Sequence, residues 1–159
     1  MSTTTTSGHE RDTYLHHVSD LYQHVRRWVA GFDPNAVLEE EEVTIHEEPV
    51  DPYIAKVLVI KRPNYKTVRM IPRGRWIIGA EGRVDLESDY GTETLLYAPD
   101  GVILSLLEIT EGGKILEGRG HPQDWDVAEG WVFMQNRETG LMPSLDAELM
   151  HRLLEVLGR

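Results

Sequence analysis

The chain predicts an α+β fold in which a long antiparallel β-meander is flanked by an N-terminal and a C-terminal amphipathic helix. Three observations carry this. Near each end, apolar residues recur at steps of three and four, the spacing of one helical face. Between them, from Val37 onward, the period drops to two, and Gly, Pro, Asn and Asp punctuate the chain every six to twelve residues. The connections between successive strands are also shorter than the dozen or so residues a parallel crossover needs, so consecutive strands are antiparallel neighbours.

The elements follow in order. Residues 1–9 are rich in Ser and Thr and read as a disordered tail, leaving 10–159 as a single domain. Asp12 or Thr13 can cap a helix over about 12–31, whose stripe is Leu15, Val18, Tyr22, Val25, Val29 and Phe32, widened by Leu21 and Trp28. Gly31 and Asp33-Pro34-Asn35 end it. Residues 33–42 are open to two readings, because Pro34 followed by acids suits a short helix. The β-branched Val43-Thr44-Ile45 favours a turn and then a strand from Val37. About eight or nine strands are expected, near 37–48, 54–62, 66–72, 75–79, 83–88, 93–97, 102–109, 114–118 and 131–136. Turns are expected at Pro63-Asn64-Tyr65, Ala80-Glu81-Gly82, Pro99-Asp100-Gly101 and Glu111-Gly112-Gly113. Arg119 to Gly130 reads as one sizeable loop. Ser144 then caps a last helix over 144–157, carrying Leu145, Leu149, Leu153 and Leu157. Both helices should pack on one face, or in the concavity, of a twisted sheet. The expected core is Val18, Val25, Val29, Val57, Val59, Ile77, Leu95, Leu104, Leu106, Val132, Leu149 and Leu153.

Composition narrows the chemistry. With 159 residues, 40% hydrophobic and 27% charged, the chain has ordinary globular proportions and one core. It contains no cysteine, which removes disulfides, thiolate nucleophiles and Cys-ligated zinc or iron–sulfur centres. The first residues lack the charged flank and apolar run of a signal peptide, and no apolar stretch approaches the roughly 20 residues of a membrane span. A cytoplasmic location without membrane contact is the expectation. A formal net charge of −11 opposes nucleic-acid backbones and anionic lipid.

Charge is segregated along the chain. Asp33, Glu39, Glu40, Glu41, Glu42, Glu47, Glu48 and Asp51 occur with no Lys or Arg between them. Lys56, Lys61, Arg62, Lys66, Arg69, Arg73, Arg75 and Arg83 follow, against Glu81 alone. Arg69, Arg73 and Arg75 beside Trp76 have the residue types of an anion or nucleic-acid patch. The simpler reading is that acidic and basic strands lie side by side and neutralise each other across the sheet, and the short turns favour it.

Three other constellations carry possible chemistry. His16, His17, Asp20 and His24 fall on one helix face, where i, i+4 spacing lets His and Asp share a metal ion; exposed pairs of little energetic weight are the plainer account. His121, Asp124 and Asp126 surround Trp125 in the expected loop, where a carboxylate can orient an imidazole for acid–base work; Asp turns and a buried Trp are the plainer account there. Ser105, within an apolar run, reads as a buried hydroxyl. No G-x-G-x-x-G, phosphate-binding G-x-x-x-x-G-K, G-x-S-x-G or H-E-x-x-H is present.

The functional expectation is a non-enzymatic accessory or adaptor-type protein without a cofactor, acting through contacts with another protein or a second copy of itself. Glu39, Glu40, Glu41 and Glu42 are the expected partner-binding residues. A meander must expose two sheet edges, and segregated charge can orient a partner. The alternative is a small-ligand-binding or metal-dependent enzyme domain built on the 121–126 loop.

Overall fold

A computed structural model describes residues 2–47, 50–74, 81–98, 127–136, 138–139 and 141–159, with side chains placed from residue 10 onward except at residue 50. Helix α1 (Ser2–Phe32) leads into β1 (Val37–Glu47), β2 (Val50–Lys61), β3 (Val68–Gly74), β4 (Gly82–Glu87), β5 (Thr92–Tyr97), β6 (Val127–Phe133) and β7 (Ser144–Asp146), and α2 (Ala147–Leu157) closes the chain. The seven strands form one antiparallel sheet in sequence order. The expected α+β meander between two helices is the observed architecture. The strands expected at 75–79, 102–109 and 114–118 lie outside the described residues, as do Ile77, Leu104 and Leu106 of the expected core.

Both helices press on one face of the sheet. Tyr14, Val18, Leu21, Tyr22, Val25, Trp28 and Val29 of α1 share a single buried cluster with Leu149, Met150, Leu153, Leu154 and Leu157 of α2 and with Leu58, Ile60, Met70, Val84, Leu86, Leu95 and Trp131 of the sheet. The other nine residues of the expected core are buried. A smaller cluster of Leu96, Ala98 and Val132 occupies the opposite face.

Several boundaries differ from expectation, each for a local reason. Helix α1 begins at Ser2, ahead of Asp12 and Thr13, and runs through the Ser/Thr-rich segment, where no Pro interrupts a helix already nucleated further on. The chain between α1 and β1 is a turn, with Asp33 N donating to Val29 O and Ala36 N to Asp33 O, so 37–47 is strand and not helix. Ser144 does not cap the last helix. It pairs with Val132 in β7, and the cap falls to Asp146, whose Oδ1 accepts from Leu149 N at 2.8 Å. Strand β6 starts at Val127, four residues earlier than expected, because Val127 pairs with Asp146; residues 127–130 are therefore strand, not loop. The turn at Pro63-Asn64-Tyr65 is as expected, with Asn64 at φ 69° and Tyr65 N bonded to Arg62 O.

One irregularity shapes the rest of the molecule. Strands β2 and β3 pair only from Leu58↔Met70 to Ile60↔Val68, and then separate. Residues 53–57 of β2 stay paired with β1 as a two-stranded ribbon, which continues past a bulge to Val50↔Glu47, while β3 continues against β4. Along the ribbon's register the row facing the main core changes from Leu58 and Ile60 to Tyr53 and Ala55, with Ile45 opposite Tyr53, so beyond the split the ribbon turns its other face inward. Pro52 and Pro72 stand on the two strands past the last shared pair. A proline is tolerated in a strand where no ladder partner needs its N–H. The Tyr22 hydroxyl fills the gap, its one proton shared between Lys56 O at 2.7 Å and Met70 O at 3.0 Å.

Candidate functional site

The backbone of the ribbon fixes which edge of the sheet is open. In an antiparallel strand the N–H and C=O of one residue point to the same side, and successive residues alternate sides. Lys56 O meets Tyr22 in the gap on the β3 side, so the even-numbered residues of this part of β2 turn their backbone polar groups away from β1. Pro72 of β3 lies two residues from Met70, whose carbonyl meets the same hydroxyl, and so faces the same gap. Odd-numbered residues of β2 therefore face β1, and through the pairs Val59↔Glu39, Val57↔Glu41 and Ala55↔Val43 the odd-numbered residues of β1 face β2. Leu38, Glu40, Glu42 and Thr44 consequently direct N–H and C=O outward. Among the described residues no strand lies beyond β1, and no described backbone group bonds to theirs.

The acidic run sits on this edge, and each carboxylate is paired with a cation rooted further in. Glu39 pairs with Lys61 of β2, Glu40 with Arg26 of α1 at 2.7 Å, Glu41 with Arg69 of β3 at 2.9 Å and Glu42 with Lys56 of β2 at 3.0 Å. The neutralisation of acidic by basic strands read from the sequence is thus the geometry seen. The four glutamate side chains nevertheless remain between 44% and 60% exposed, so the pairs are solvent-screened and weak. Beside them a groove of about 280 Å³ runs between α1 and the ribbon, lined by Val18, Ser19, Tyr22, Gln23, Arg26, Glu40 and Lys56.

The other candidate residues are dispersed or internally paired. His16 Nε2 lies 3.5 Å from Asp20, while His17 leaves them to stack on Tyr97 with ring centroids 3.8 Å apart. His24 meets Arg27 at 3.0 Å and tilts against Trp28. Partial burial is the main cause that holds the His17 imidazole below its ordinary pKa, and neighbouring His16 adds to it. No group of three or more potential ligands is gathered among the described residues. Arg69 is committed to Glu41, and Arg73 to Asp85 at 3.1 Å and to Glu87; Arg75 lies outside the described residues. Asp85 is only 3% exposed, yet it is saturated by Arg73, by Arg83 at 2.8 Å and by the Thr94 hydroxyl at 3.1 Å. His121, Asp124 and Asp126 lie outside the described residues.

Two features escaped sequence reasoning. Arg62 clasps one end of the domain: its Nε donates to Asp33 at 2.8 Å, its guanidinium lies 4.0 Å from the Tyr65 ring centroid, and Nη2 approaches Glu155 at 3.6 Å. Hydrogen bonding from Tyr65 is the largest of the contacts that hold the Glu155 carboxyl below the usual range. The second feature is the outward parity of β1, for which Pro72 was the available signal. No helix among the described residues is long and apolar enough to cross a membrane. Compared with models of known protein families, with curated proteins and with solved structures, this chain matches none.

Proposed function

We propose that this is a non-enzymatic accessory protein that works by docking another polypeptide, and that the outer edge of β1 is its working surface. The observation that carries the reading is the contrast between this edge and the others. The β2–β3 split holds Pro72 and the Tyr22 hydroxyl, both of which block strand addition, and β7 is three residues long. Strand β1 has eleven residues, about 37 Å of backbone, and no proline. A long edge with unpaired donors and acceptors is a template for an added strand.

The test is position-specific photo-crosslinking in native lysate, with the photoreactive residue at Thr44 on the edge or at Arg152 on the exposed side of α2. One stoichiometric protein adduct at position 44, absent at 152, is the expected result. Identical adducts at both positions, or none at 44, would remove β1 as the working surface.

A further inference from the structure

We propose that the strand β1 accepts is an extended, basic segment of a different protein, and not a second copy of this chain. The inference rests on the docking role of β1 and adds the chemistry of the partner. Two sets of groups decide it, the open backbone and the direction of the ion pairs.

The backbone supplies attachment that is indifferent to sequence. Leu38, Glu40, Glu42 and Thr44 each offer one N–H and one C=O along the open edge, in the alternating pattern of an antiparallel ladder. An incoming strand settles about 4.8 Å outside β1. At that distance its nearest side-chain neighbours are the glutamates, on both faces of the strand. The cations Lys61, Lys56, Arg69 and Arg26 are rooted on β2, β3 and α1, one or more elements further in, and approach the carboxylates from the inner side. Each pair is therefore a dipole with its negative end at the edge. A carboxylate has about four lone-pair sites, and with side chains this exposed the outer ones stay open to a second donor.

The same arrangement rejects self-pairing. Two copies of β1 laid side by side place glutamate against glutamate along the shared edge, and like charges directly opposite are destabilising. Each copy also brings a net charge of −11. Acidic residues on an open edge thus bar this chain from its own kind while favouring a strand of Lys and Arg, which is specificity by repulsion as well as attraction. On the helix side, the groove lined by Val18, Tyr22, Arg26, Glu40 and Lys56 gives one alternate apolar side chain of the partner, between its basic residues, a wall in Val18 and Tyr22.

The experiment uses the full-length ¹⁵N-labelled chain titrated with a capped seven-residue peptide of alternating lysine and valine. Three controls accompany it: the same peptide with alternate amides N-methylated, a glutamate–valine peptide, and unlabelled full-length protein. The lysine peptide is expected to shift the amides of Leu38 to Thr44 and to bind at least about fivefold more weakly to the Glu39→Gln/Glu41→Gln variant. Thr44→Pro, which removes an outward N–H but none that faces β2, should weaken it as well, with the remaining resonances unmoved. Neither the N-methylated nor the glutamate peptide should shift these amides. Equal shifts with the N-methylated peptide would reduce the effect to loose charge attraction. Shifts elsewhere, or none, or equal shifts on adding unlabelled protein, would also overturn the proposal. If the lysine peptide fails while Thr44 still crosslinks to one partner, the partner's chemistry is wrong and the docking role stands; if both fail, both fall.

Discussion

Tyr22→Phe tests the split that leaves β1 and β2 as a separate ribbon. The phenyl ring keeps its place in the core, so the substitution removes a hydroxyl and little else. That hydroxyl shares its one proton between Lys56 O at 2.7 Å and Met70 O at 3.0 Å, at the point where β2 and β3 part. A buried acceptor left without its donor costs about 1–3 kcal/mol, and Met70 O is the buried one of the two. We expect Tyr22→Phe to lose about 1–3 kcal/mol in urea unfolding with an unchanged denaturant slope. Tyr14→Phe should lose at least as much, since its hydroxyl donates to Arg83 O at 2.8 Å and accepts from Gly74 N at 3.0 Å, so a donor is orphaned as well. The two tyrosines lie eight residues, roughly 12 Å, apart on α1, and their effects should add. A loss below about 0.5 kcal/mol for Tyr22→Phe, or a changed slope, would mean that the gap is not closed in this way.

Leu153→Ala opens the core between α2 and the sheet and should cost about 2–5 kcal/mol by the same assay. Asp146→Ala should cost about 0.5–2 kcal/mol and fray the first turn of α2, and Asp146→Asn should restore most of it; an unchanged helix would place the cap elsewhere. The folded state holds the His17 pKa below its ordinary 6.5, so the native chain binds fewer protons than the unfolded one as pH falls through that value. Stability contributed above pH 6.5 should decline below it, and His17→Gln should flatten that part of the profile in thermal melts between pH 7 and 5. Burial pushes the Tyr14 and Tyr22 hydroxyls well above 10, so their ionisation should follow unfolding in an alkaline absorbance titration instead of preceding it.

Sequence patterns recovered what depends on local periodicity. The stripe from Val18 to Val29 had to be buried whatever lay against it, and the charge blocks at 39–42 and 56–69 had to meet once short turns made their strands neighbours. Non-local geometry stayed hidden. His16, His17 and His24 share a helix face, but Tyr97, 80 residues away in the chain from His17, draws one of them aside. Ser144 and Asp146 both look like helix caps, and only the pairing of 144–146 with β6 decides between them. The open side of β1 depends on parity carried across two strands, for which Pro72 was a readable sign.

Amide hydrogen exchange of the free chain at single-residue resolution addresses the open edge most directly. If β1 is unpaired on its outer side, protection must alternate along it: Glu39, Glu41 and Val43, bonded to β2, exchange slowly, while Leu38, Glu40, Glu42 and Thr44 exchange near the rate of exposed amides. Uniform protection from Leu38 to Thr44 would mean that the edge is already occupied, and the docking role of β1 would be wrong.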